Sequence, residues 1–222
     1  MPIDYLSQLD DLGEDSMEQL RRREQGREQA LQLCREIIRL SANGIRALHR
    51  REFDDANDLL GQAAMRLEQA KTHLEKYPEI YHAGFLTDAQ KEYAEALCLR
   101  AFLMGRELPR PEEIGVELPA FLNGLGEAAG ELRRYVLDSL RRDDISRCEE
   151  FLEVMDGIYS LLMSLDFPDA LTGGLRRTSD MVRGVLERTR GDLTMTLRQR
   201  ELAERLNNWL DKGGSPPEKG RR

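Results

Sequence analysis

Residues 92–104, EYAEALCLRAFLM, decide the fold. Between Tyr93 and Met104 the only charged residues are Glu95 and Arg100, and neither Gly nor Pro interrupts the run. A helix apolar nearly all round belongs inside a protein rather than on its surface. At about 100° per residue, Glu92 and Glu95 share the side that carries Leu99 and Phe102. Two carboxylates at the entry to a buried helix need a reason. Desolvating a lone carboxylate is costly, so such groups are paired, protonated or bound to a cation.

A second acidic pair follows in FLNGLGEAAGELRRYVLDSL, residues 121–140. Phe121, Leu125, Ala128, Leu132, Val136 and Leu140 make one helical stripe, and Glu127 and Glu131, four apart, fall together beside it. Gly124, Ala128 and Gly130 leave room for a second helix or a ligand on that side. Two helices could thus present four glutamates to one space, where the usual relief of repulsion is a hard cation. The competing reading is plain solvated surface, since acidic pairs at helical spacing are common in a highly charged chain.

With 33 Lys+Arg against 41 Asp+Glu, the net charge of −8 argues against indiscriminate nucleic-acid binding but leaves room for a local basic face. The 8 prolines, and the scarcity of Val/Ile/Thr runs, predict an all-α fold. Cys34, Cys98 and Cys148 are far apart and sit at apolar positions, so they read as reduced core thiols of a cytoplasmic protein. No signal peptide or membrane anchor is visible, and no partner membrane is expected.

In chain order, residues 1–15 are acidic and patternless, read as a mobile lead. A long helix is expected from Ser16 to about Arg50, with Arg21, Arg22, Arg23 and Arg27 making its first turns basic. A second, to about Lys76, forms a hairpin with it. Tyr81, His82 and Phe85 occupy a connector, and Thr87 or Asp88 is the expected cap of the central helix. Further helices are expected near 119–141, 145–165, 169–190 and 192–211, and the tail 212–222 reads as disordered. The whole is a single-domain antiparallel helical bundle of about seven helices, spanning 16–211.

The sequence contains no GxxxxGK[ST], GxGxxG, CxxC or HExxH, which argues against phosphate loops and zinc sites, and its one ExxH, Glu79–His82, lacks the second copy that the di-iron bundle signature needs. His49 and His73 read as structural residues near helix ends. Carboxylates are the only catalytic material in quantity.

The run Gly26–Ala64, with IRALHRREFDDANDLL at its turn, resembles the start of the translin family, whose pattern there is R-x-x-H-x-x-[DE]-F-x-x-A-x-x-L. The likeness continues through KEYAEALCLRAFL, LNGLGEAAGELRRYVLDSL and FLEVMDGIYSLLMSL, covering most of 20–210. Translin itself lacks an acidic pair in its central helix. Its partner, translin-associated factor X, carries E-Y-x-E-A there and a second acidic pair spaced by four. Glu92-Tyr93-Ala94-Glu95-Ala96 matches the first motif, and Glu127 and Glu131 match the second, with Glu127 standing where that branch has Asp.

The resemblance implies an archaeal-type, single-subunit endoribonuclease. Glu92, Glu95, Glu127 and Glu131 would be both metal ligands and catalytic residues for Mg²⁺, or for Mn²⁺ in its place. It also implies a hollow homo-octamer, and single-stranded RNA as partner, with single-stranded DNA as a further ligand. Tyr81 and His82 lie near the family's basic-aromatic nucleic-acid segment; Arg133, Arg134, Arg21 and Arg22 are the expected phosphate contacts. The alternatives are a translin-like scaffold that binds nucleic acid without cutting it, and a helical adaptor with no nucleic-acid role.

Overall fold

The computed structural model describes residues 4–81 and 84–211, and these are helical with no strand among them. Helix α1 (Tyr5–His49) and helix α2 (Phe53–Leu74) form the expected hairpin, turned at Arg51 with φ +64°. Gly44 makes their close approach feasible, because a Cβ there would stand 2.9 Å from Leu60 Cδ2. A single turn, α3 (Pro78–Tyr81), leads to the central helix α4 (Phe85–Met104). Then come α5 (Leu118–Arg141), α6 (Cys148–Ser164), the single turn α7 (Asp169–Thr172) and α8 (Leu175–Asp211).

Helix α4 is the keystone. It packs against α1 and α2 on one side and α5 on the other, while α5 packs in turn against α6 and α8. Tyr93, Leu97, Leu99 and Leu103 are buried around its circumference, as its composition requires. Its C-terminus ends at Gly105 in the left-handed region, φ +61°. Arg147 closes that end by donating to the carbonyls of Leu103 (2.7 Å) and Phe102 (2.9 Å). Cys34, Cys98 and Cys148 are free and buried, and burial pushes the Cys98 thiol up to about 12. No helix is long and apolar enough to cross a membrane.

Three expectations are corrected. Helix α1 begins at Tyr5 rather than Ser16, with the Asp4 side chain accepting from the Ser7 amide. Everything from Tyr5 to Glu24 is exposed. With no buried face, that stretch carries no apolar period to read. Helix α4 begins at Phe85, preceded by Gly84 at φ +91°, so Thr87 and Asp88 lie inside its first turns rather than at the cap. The two helices expected over 169–190 and 192–211 are instead the single turn α7 and one helix, α8, which runs unbroken through Gly191. The residues expected to form a tail, 212–222, lie outside the described residues.

Candidate metal centre

Gly124 on α5 sets the site. A Cβ there would lie 2.5 Å from the Lys91 carbonyl oxygen and 2.9 Å from the Glu95 amide nitrogen of α4. Only glycine admits that helix–helix distance, and the approach brings the two acidic pairs face to face. Gly130, by contrast, meets open space and plays no such part.

Glu92, Glu95 and Glu127 each offer a carboxylate oxygen within 4.8 Å of the others, a cluster of three drawn from two helices. Glu95 is the most enclosed, only 8% exposed. Burial, followed by the charges of Glu92, Glu127 and Glu131, pushes its carboxyl up to about 8. Burial likewise raises Glu92, with Lys91 working against the shift and Glu127 adding to it. This is the electrostatic state of a carboxylate group short of positive charge.

Glu131, the fourth expected ligand, stands beside the cluster and is held differently. Its Oε2 lies 2.5 Å from His49 Nε2 and 3.6 Å from Arg134 Nη1. The His49 hydrogen bond holds the Glu131 carboxyl below its ordinary value. One more basic group enters the site itself. Lys91 Nζ donates to Glu127 Oε1 at 2.8 Å and lies 3.8 Å from Glu92 Oε1. Burial works against the Lys91 ammonium, but Glu127 outweighs it and holds its pKa above the ordinary value.

Sequence reasoning assigned no role at the site to Lys91 and treated His49 as structural. Lys91 adjoins Glu92 in the chain, so a basic residue next to the first motif was the available signal. His49 is 82 residues from Glu131, and no local pattern connects them.

The expected nucleic-acid contacts are scattered. Arg133 is engaged within the fold, with Nη1 donating to Thr189 Oγ1 at 3.1 Å and Nη2 lying 2.8 Å from Asp192 Oδ2 on α8. Arg134 is half exposed beside Glu131. Arg21 and Arg22 sit on the exposed N-terminal part of α1, where Arg22 pairs with Glu18. Tyr81 donates its hydroxyl to Glu117 Oε1 at 3.0 Å. His82 lies outside the described residues.

The donor set suits a hard divalent cation. Mg²⁺ and Mn²⁺ take oxygen ligands, and the three converging carboxylates supply them together with more negative charge than Lys91 offsets. Among the described residues, the cluster of three is made of carboxylates alone, with no cysteine or histidine in it. Among the described residues, a cavity of about 850 Å³ lies between α6, α7 and α8 and contains none of the four glutamates, and a smaller one adjoins the acids. The smaller, about 470 Å³, is lined by both Lys91 and Glu127, so it opens directly from the acidic cluster and is the one relevant to chemistry there.

No family model matches the chain. An uncharacterised protein of Methanocaldococcus jannaschii is 32% identical over 182 residues, 81% of this chain and 80% of its own length. Among solved structures, AfC3PO, alone and in a complex with duplex RNA, is 36% identical with a TM-score of 0.77, over 84% of this chain and 97% of its own. Apo-NeC3PO shares the fold at 21% identity and a TM-score of 0.74, over 88% of this chain and 99% of its own.

Proposed function

The chain belongs to the translin family, and from that premise we propose that it is a Mg²⁺-dependent endoribonuclease of the factor-X-like branch. In this reading it cuts single-stranded RNA inside a homo-octameric assembly in the cytoplasm. The observation that carries it is the convergence of Glu92, Glu95 and Glu127 across the α4–α5 contact. The AfC3PO complex with duplex RNA supports RNA as the ligand class.

Glu92, Glu95 and Glu127 would hold the ion, with Glu131 beside them. A bound Mg²⁺ or Mn²⁺ supplies a water of lowered pKa and positive charge against the phosphoryl oxygens of an in-line displacement. His49 fixes the Glu131 carboxylate in one orientation, as partners of acidic ligands commonly do. Lys91 balances Glu127 while the acids lack an ion, and its ammonium is also placed to face a phosphate oxygen entering from the adjoining cavity. Gly124 keeps α4 and α5 close enough for the acids to act together.

One observation favours a second reading, a scaffold that binds RNA without cutting it. Lys91 and His49 already answer Glu127 and Glu131 with groups of the chain itself. A cleavage assay separates the two. Labelled single-stranded RNA, and the same sequence as duplex, is incubated with the parent protein and with Glu95→Gln and Glu127→Gln at matched assembly, with Mg²⁺ and with EDTA. Cleavage of the single strand by the parent, lost in both variants and in EDTA, upholds the ribonuclease. Binding without cleavage selects the scaffold. Light scattering on the same samples checks the octamer.

A further inference from the structure

The cavity beside the acids is bounded by α4, α5 and the start of α8. Its wall is built in advance. Buried Asn123 of α5 donates to the carbonyls of Pro119 (2.8 Å) and Thr172 (2.9 Å) and accepts from Thr178 Oγ1 at 2.5 Å. Those bonds fasten the turn between α7 and α8 to α5. Gly126 lets α8 come close, because a Cβ there would run into the Thr178 methyl. The turn itself is Gly173-Gly174, both at positive φ (+60° and +84°), so bare backbone faces the cavity.

Charge in the cavity is unequally spoken for. Lys91 is engaged by Glu127, and Asp88 adds a second carboxylate. The exposed Arg177 guanidinium has no hydrogen bond or ion pair among the described residues, the backbone N–H alone donating to the Gly174 carbonyl. A guanidinium without a partner, set over a preformed cavity that opens onto a carboxylate cluster, is a phosphate-binding arrangement. At about 470 Å³ the cavity falls within the roughly 300–1,000 Å³ of small-molecule clefts. It can take one nucleotide unit.

Resting on the reading of the protein as an RNA-processing enzyme, we propose that this cavity seats one nucleotide unit of an RNA strand. Arg177 holds the phosphate adjoining the one presented to the acids.

The test is fluorescence anisotropy with a labelled mixed-sequence 12-nucleotide single-stranded RNA, in EDTA, across a range of NaCl concentrations. It uses the full chain at an assembly mass confirmed by light scattering. Arg177→Ala is expected to weaken binding about tenfold and to reduce the slope of log affinity against log salt by about 0.7, one phosphate contact on a single strand. Arg177→Lys keeps the slope, Asp88→Asn tightens binding, and Arg198→Ala on the distal part of α8 changes neither. The proposal is overturned if Arg177→Ala matches the parent, if Asp88→Asn and Arg177→Ala act in the same direction, or if the loss follows a changed assembly mass. The two readings fail separately. A parent that binds through Arg177 but never cuts in Mg²⁺ removes the ribonuclease and keeps the seat. A parent that cuts while Arg177→Ala binds normally removes only the seat.

Discussion

On α4, Glu92 and Glu95 face the site, and among the described residues they have no basic partner closer than the 3.8 Å between Glu92 and Lys91, with no ion pair to Glu95 itself. On α5, Glu127 and Glu131 each have a resident basic neighbour, Lys91 for one and His49 with Arg134 for the other. The spacing of the pairs is similar, yet their electrostatic condition is opposite. Glu95 is driven toward its neutral form, while Glu131 is held in its charged one. The difference teaches where demand for a cation is concentrated. Helix α5 brings ligands that have basic neighbours in the fold; α4 brings Glu95, whose charge is relieved by a proton or by an added ion.

Breaking the α4 side should have the largest effect. Glu95→Gln keeps the side-chain shape and removes the charge, and is expected to lower Mg²⁺-dependent RNA cleavage by at least about 100-fold, read as kcat/KM. The same substitution should have the opposite effect on the metal-free fold. The Glu95 carboxyl has its folded pKa raised from 4.5 to about 8. The folded state therefore holds that proton more tightly, and the stability it contributes is complete below pH about 4.5 and lost as pH rises toward about 8. In EDTA the parent's Tm should fall across that window, and Glu95→Gln should flatten the fall.

Breaking the α5 side should cost less. His49→Ala removes the donor that orients Glu131 and is expected to weaken divalent-ion affinity by about 10–100-fold, with His49→Gln restoring part of it. Calorimetric titration with Mn²⁺ checks both. Gly124→Ala attacks the contact between the two sides. Its Cβ meets the α4 backbone, so a loss of about 1–3 kcal/mol in denaturant unfolding is expected, together with weaker ion binding. Lys91→Gln sharpens the comparison with the smallest effect, and in the favourable direction. Removing a competing ammonium near ~1 kcal/mol of interaction should tighten ion binding about fivefold.

Much of this was legible in the chain. The apolar run of α4 announced its central place, and the 92/95 and 127/131 spacings put each pair on a single face. Gly124 was legible as a small residue on the acidic side, though its role in setting the distance between helices needs the partner helix to be seen. The basic groups of the site were not legible as such. His49 reaches Glu131 only through the packing of the end of α1 against α5, and Lys91 is indistinguishable from a solvated lysine until α5 arrives. Arg177 was not legible either, because the cavity it lines is made by three segments far apart in sequence. The boundary missed at Tyr5 lies where the helix runs exposed and leaves no apolar period, whereas α8 runs unbroken through Gly191 with Thr189 and Leu193 buried on either side. Periodicity reports burial, and an unburied helix is silent to it.

The central claim is that the acids of α4 and α5 form one divalent-cation site whose demand comes from Glu95. Titration of the metal-free protein with Mn²⁺, followed by electron paramagnetic resonance of the free ion, tests it without any substrate. The account predicts saturable binding by the parent that weakens at least about tenfold in both Glu95→Gln and Glu127→Gln, with the assembly intact. Equal binding by the parent and the Glu95→Gln protein would contradict it.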